Sequence, residues 1–116
     1  MKFSALVAIV NDEYEEQTIQ AARKNGATGI TILAGKGIPC DERKTFFGLS
    51  FEGSQTVLLM VLEKSLSLGV LKAIKQVVAK DDGGSEGLVF TVPLEHLAGI
   101  DVKQVQRFEQ HLKEEL

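Results

Sequence analysis

Two glycine-framed stretches hold most of the residues in this chain that could do chemistry. "GKGIPC" (Gly35 to Cys40) places one ammonium, Lys36, between two glycines and ends on the only cysteine; "DDGGSEG" (Asp81 to Gly87) mixes carboxylates, glycines and the Ser85 hydroxyl. The first is not a Walker phosphate loop, because neither its glycine spacing nor a following Ser or Thr fits. Taken alone, it turns the chain out of a strand. The second lacks the ligand spacing of a calcium loop, and by default it stops a helix, since Gly83 or Gly84 can take positive φ. Cys40 reads either as an incidental thiol or, with Arg43 and Lys44 close enough in sequence to favour its thiolate, as a redox sensor. His96 and His111 have no second His or Cys at metal-ligand spacing and read as surface residues. An acid–base enzyme would have to use Glu86, Glu95 and His96, the only clustered candidates. Neither a G-x-S-x-G elbow nor an H-E-x-x-H or C-x-x-C motif is present.

The elements that must carry these stretches follow from hydrophobic periodicity. "FSALVAIV" (Phe3 to Val10), "TGITILA" (Thr28 to Ala34), "TVLLMVL" (Thr56 to Leu62) and "LVFTVPL" (Leu88 to Leu94) are apolar and β-branched, and predict four strands. "NDEYEEQTIQAARKNG" predicts a helix capped by Asn11 or Asp12, acidic in its first turn, basic in its last and stopped at Gly26. Between Ser65 and Lys80, Val70, Ile74, Val77 and Val78 share one helical face, with Leu66 and Leu71 beside it. Asp101 and Gln104 have capping-box spacing before a last helix, in which Val102, Val105, Phe108, Leu112 and Leu116 form a stripe. That stripe suits core or subunit packing better than a membrane surface, because the polar side is mixed rather than basic.

The order β-α-β, long segment, β-α-β is that of an α+β, ferredoxin-like sheet with helices on one face. One feature strains that outline. Residues 35–55, between the second and third strands, are read as irregular, yet compact domains usually connect elements with about 4–6 residues. A second concerns cover: "TVLLMVL" is apolar at nearly every position, whereas an antiparallel sheet with one wet face alternates. The terminal helix or a neighbouring subunit must therefore lie on the second face.

The 116 residues make a single domain, 1–116, with one core. Hydrophobic residues are 44% and charged residues 25%, with 13 basic against 16 acidic side chains and a net charge of −3. With no basic stripe to offset that charge, nucleic acid is not expected as a partner. A lone cysteine fits a reducing compartment. The amino-terminal apolar run is too short, alternates, and meets acidic residues where a signal-peptide cleavage site should be. Nothing approaches the roughly 20 apolar residues of a membrane span, so no membrane insertion is expected and the expected location is the cytoplasm.

"GATGITI", "GKGI", "FFGLSF" and "DDGGSEGLVFTVPLEHLAGI", in this order and spacing, resemble the PII-like signalling proteins, relatives of the nitrogen regulatory protein PII. The resemblance spans roughly residues 3 to 100. It implies a homotrimer of ferredoxin-like subunits whose sheets face inward, and a regulatory protein rather than an enzyme. Residues 35–55 become its T-loop, which contacts targets such as a membrane transporter or an enzyme and changes shape with the effector. Residues 81–87 become its B-loop, beside a subunit cleft that takes an adenine nucleotide, whether AMP, ADP or ATP, and no covalent cofactor. Residues 101–116 are an appended helix. The implied effector site is Thr28, Gly29, Gly35, Lys36, Gly37, Ile38, Gly83, Gly84, Ser85, Glu86 and Gly87, a cleft rich in backbone amides in which Lys36 is the one obvious cation. The implied partner-binding segment is Pro39, Cys40, Asp41, Glu42, Arg43, Lys44, Phe46 and Phe47.

The departures from the family pattern bear on the effector. Leu88, Gly99 and Asp101 stand where typical members place a lysine and two arginines on the ATP phosphates, and a triphosphate needs such cationic donors. Pro39 stands for the glutamine that joins magnesium and 2-oxoglutarate binding, and Phe51 for the tyrosine that is uridylylated. Two other readings remain at this point. One is a trimeric metal-tolerance protein of the CutA type, which has a shorter connection and no phosphate cleft; the other is a small ferredoxin-like enzyme.

Overall fold

The computed structural model describes residues 2–40, 45–50, 53–101, 103, 104, 107, 110, 111 and 113. Strand β1 (Phe3–Asn11) alternates buried and half-buried residues along its whole length, as the sequence pattern requires. Asn11 then closes a short 3-10 turn, Asp12–Tyr14, by accepting a hydrogen bond from the Glu13 amide at 3.3 Å. Helix α1 (Glu15–Lys24) follows, with Glu15 and Glu16 at its positive end and Arg23 and Lys24 at its negative end. Gly26, at φ 110°, turns the chain out of it.

Strand β2 (Thr31–Gly37) precedes two short strands, β3 (Thr45–Phe46) and β4 (Leu49–Ser50), which pair as a hairpin. Strand β5 (Gly53–Glu63) leads into helix α2 (Lys64–Val78), whose amino end is capped by the Glu63 carboxylate on the Ser65 amide at 2.8 Å. The last strand is β6 (Gly87–Pro93). The main sheet has the order β2-β5-β1-β6, antiparallel throughout, and this is the predicted α+β, ferredoxin-like arrangement.

Ser67, Val70, Ile74 and Val78 form the buried stripe of α2 and pack over Leu6, Ala8, Val10, Leu58 and Met60, all essentially sealed from water. Val77 and Leu71 lie at its margin. The opposite face of the sheet is also apolar, and neither α1 nor α2 lies on it. Antiparallel register places three rows there: Val61-Ala5-Val92, Leu59-Val7-Phe90 and Val57-Ile9-Leu88. Leu59, Val61, Leu88, Phe90 and Val92 remain 37–46% exposed.

Two sequence boundaries need correction. The second strand runs from Thr31 to Gly37, not Thr28 to Ala34, and the third begins at Gly53 rather than Thr56. The reason is that ladder hydrogen bonds are made by the backbone. Gly35, Lys36 and Gly37 pair with Gln55, Ser54 and Gly53 although their side chains carry no apolar signal. The segment read as irregular over 35–55 is therefore extended sheet at both ends and holds a hairpin in its middle. At the carboxyl end, Asp101 accepts from the amides of Lys103 at 2.8 Å and Gln104 at 3.3 Å, the cap expected there. The stripe of Val102, Val105, Phe108, Leu112 and Leu116 lies outside the described residues.

Candidate functional site

One end of the sheet gathers most of the sequence-flagged residues. Gly35 sits opposite Gln55, Gln55 opposite Asn11, and the Asn11 amide donates to the Glu86 carbonyl at 3.0 Å. The end of β2, with Lys36, thus lies in the same row as the turn that leads into β6. Thr56, one step inward, donates its hydroxyl to Asp12 Oδ1 at 2.9 Å and fixes the start of the first helical turn against the sheet.

The turn over residues 80–87 is closed on itself. The Lys80 amide donates to the Gly84 carbonyl at 2.9 Å, and the Gly83 amide to the Lys80 carbonyl at 3.1 Å. Gly83 takes φ 87°, which only glycine adopts without cost. The ammonium of Lys80 reaches Glu86 Oε1 at 3.2 Å. The hydrogen bond to Glu86, then the charges of Glu86 and Asp82, hold the Lys80 ammonium above its ordinary pKa. Sequence alone points to Lys36 as the one cation and misses Lys80, although a lysine and a glutamate on either side of "DDGGS" are spaced to meet across a tight turn.

The amides from Gly83 to Gly87 are all engaged. Besides that of Gly83, the Gly84 amide donates to Asp82 Oδ1 at 2.8 Å, the Glu86 amide to the Val78 carbonyl at 2.9 Å, and the Gly87 amide to Ser85 Oγ at 3.2 Å. The Ser85 amide donates to the Gly48 carbonyl at 2.9 Å. Of the backbone amides expected to line a cleft, those of Gly35, Gly37, Gly83, Gly84 and Gly87, the last three hold acceptors within this chain.

Gly48 belongs to the tip of the β3–β4 hairpin, an element absent from the sequence-based outline. Phe47 at φ 50° and Gly48 at φ 82° make a two-residue turn with both φ positive, the twist that suits a tight hairpin. Phe47 is 95% exposed. The hairpin tip docks on the glycine-rich turn, where Leu49 and Ser85 also form a parallel bridge. The signal in "FFGLS" is weak because phenylalanine stands where asparagine usually marks such a turn.

Thr28 and Gly29 are placed elsewhere. They line a shallow groove of about 270 Å³ with Ile19, Arg23, Ala27, Ile30 and Ile32, at the start of β2. Ile32, the strand residue furthest along that groove, stands five residues before Gly37, roughly 16 Å at the usual rise. Ile38, Pro39 and Cys40 follow β2, with the Cys40 thiol exposed. Asp41, Glu42, Arg43, Lys44 and Phe51 lie outside the described residues, as does the side chain of Phe46. The His96 imidazole pairs with Glu95 at 3.6 Å on the surface.

A ferredoxin-like sheet, a long connection between β2 and β5, and a glycine-rich turn touching that connection are now in place. The profile of the nitrogen regulatory protein P-II family matches residues 3–104. The chain belongs to the P-II family. Solved structures agree on the P-II fold. PII from Arabidopsis thaliana, bound to citrate, is 24% identical with a TM-score of 0.62, over 88% of this chain and 84% of that one. A PII-like signalling protein from Thermus thermophilus is 13% identical with a TM-score of 0.59, over 81% of this chain and 88% of that one. No curated protein matches. Membership of P-II makes this a chain of a regulatory family, and among its described residues no helix is long and apolar enough to cross a membrane.

Proposed function

We propose that the protein is a trimeric cytoplasmic sensor. It binds an adenine nucleotide at its subunit clefts and governs a membrane transporter or an enzyme through the segment between β2 and β5. The observation that carries the reading is the meeting of that segment with the glycine-rich turn, at the Ser85 amide and the Gly48 carbonyl. An effector that lodges in the turn thereby acts on the segment that reaches the target.

Trimer formation rests on two observations. The apolar rows of the open sheet face need cover. The Thr28–Gly29 groove and the 81–87 turn lie at opposite ends of one subunit, so a single site that uses both requires a second copy. Effector choice follows from charge. With Leu88, Gly99 and Asp101 where the family resemblance puts the phosphate-anchoring lysine and arginines, and Lys80 already shared with Glu86, few cations among the described residues remain for a triphosphate. ADP and AMP are the expected ligands.

Calorimetry of the purified protein against AMP, ADP and ATP, with and without magnesium, tests the reading. The expected result is about one site per subunit, with the mono- or diphosphate preferred. No heat from any nucleotide at two temperatures removes nucleotide sensing.

A further inference from the structure

We propose that the terminal segment, residues 102–116, docks in cis along the lysine-bordered flank of α2, as a third helix on the covered face of the sheet. The docking is independent of any nucleotide.

Lys64, Leu68, Leu71 and Lys75 recur at spacings of four and three, so they share one side of α2. The side toward α1 carries Ala73, Gln76 and Val77 instead. Antiparallel register puts Thr91 and Pro93 of β6 on the same sheet face as Leu6, which α2 covers, yet both are exposed, as is Leu68 at 59%. Helix α2 thus stops short of the end of β6, an edge strand, and leaves an open strip beside its lysine-bordered flank.

Position, length and pattern name the occupant. The Leu94 amide donates to the Phe3 carbonyl at 3.0 Å and the Lys64 amide to the Lys2 carbonyl at 2.9 Å, so the chain leaves β6 beside the start of α2, at the foot of the strip. As a helix, residues 102–116 span about 22 Å, which matches the 15 residues of α2. A helix so short is marginal in water unless one side packs. The described residues Lys103, Gln104, Arg107, Gln110 and Lys113 are helical and exposed, and all fall off the sequence stripe of Val105, Phe108 and Leu112. Glu109, four residues after Val105, and Glu115, three after Leu112, border that stripe, whereas Lys64–Val78 has lysines and no acidic residue. An apolar strip edged by ammonium groups therefore meets an apolar stripe edged by carboxylates. Residues 105–116 also lie beyond the P-II match, so the family fold does not account for the stripe. With the segment on the helix side, the open sheet face is left to other copies of the chain.

Hydrogen exchange of the full chain tests the docking. Amides of residues 106–113 should be protected in the wild type and exchange about tenfold faster or more in Leu68→Glu, as expected when the burial of one leucine is lost, while those of α2 keep their protection. Equal exchange in the two proteins overturns the docking. A short bismaleimide linker then identifies the face and the chain, in a Cys40→Ser background. Leu68→Cys with Val105→Cys should link within one chain and run at the single-chain mass on a denaturing gel, and Leu59→Cys with Val105→Cys should link at least about tenfold more slowly. Faster linking at Leu59→Cys would place the segment on the open sheet face, and linking between chains at Leu68→Cys would make the occupant a second copy. Either result overturns the proposal, as does the absence of a link at both pairs.

Discussion

At Gly87 the chain has room for a hydrogen atom and nothing larger. A methyl group there would stand 2.8 Å from Val78 Cγ1, 2.9 Å from Val10 Cγ1 and 3.1 Å from the Ile9 carbonyl oxygen. Those neighbours are the end of α2 and the last residues of β1, an interior strand of the sheet, neither of which can withdraw cheaply. Gly87→Ala should therefore destabilise the fold by about 1–3 kcal/mol, the usual cost of overpacking a close-packed site. Urea denaturation checks this, and a midpoint equal to that of the wild type would contradict it. Gly35 differs, because a methyl group there meets only ordinary contacts at 3.6 and 3.7 Å. The two glycines look alike in sequence; one is required by packing, and the other lies in a strand that Ala would also fit.

Among the elements, those with side-chain periodicity are legible in the sequence and those built from backbone are not. The alternation of β1, the stripe of α2 and the cap at Asp101 follow from residue types that pack or accept hydrogen bonds, and the structure has them in place. The extension of β2 through Gly35 and Gly37 has no such signature, nor do the hairpin tip and the amide partners of the 81–87 turn. For the same reason the candidate site is legible as a set of glycines, while the partners of their amides and the role of Lys80 are not. The ladder now makes a prediction about the loop as an element. Gly37 pairs with Gly53, so removing residues 39–50 leaves Ile38, Phe51 and Glu52 to join two strands already in register. The shortened protein should melt cooperatively within about 4 °C of the wild type, a shift corresponding to about 1 kcal/mol in a domain of this size. Loss of the cooperative transition in circular dichroism would show that the loop supports the core instead of standing outside it.

For the whole molecule, the decisive feature is a sheet with two apolar faces, of which α1 and α2 cover one. The middle row of the open face, Leu59-Val7-Phe90, lies at its centre. Covering it with copies of itself would hide the residues that water now reaches. Leu59→Lys discriminates this from a face that stays open. In an isolated subunit the lysine stem lies along the sheet and its ammonium reaches water, because residue 59 is already 37% exposed. Between packed sheets the same ammonium is buried without a partner, at a cost of several kcal/mol. The wild type should sediment at three times 12.6 kDa and Leu59→Lys at 12.6 kDa with its circular dichroism retained. Leu68→Lys, at a 59% exposed position on α2, should keep the wild-type mass. If the proposed nucleotide site is shared between copies, the monomeric variant should also lose ADP affinity by about tenfold or more, because the Thr28–Gly29 groove and the turn lie apart within one subunit. A Leu59→Lys protein that keeps the larger mass would place the contact between copies elsewhere. One that becomes monomeric yet binds ADP as before would mean that each subunit binds through the turn alone, without the groove.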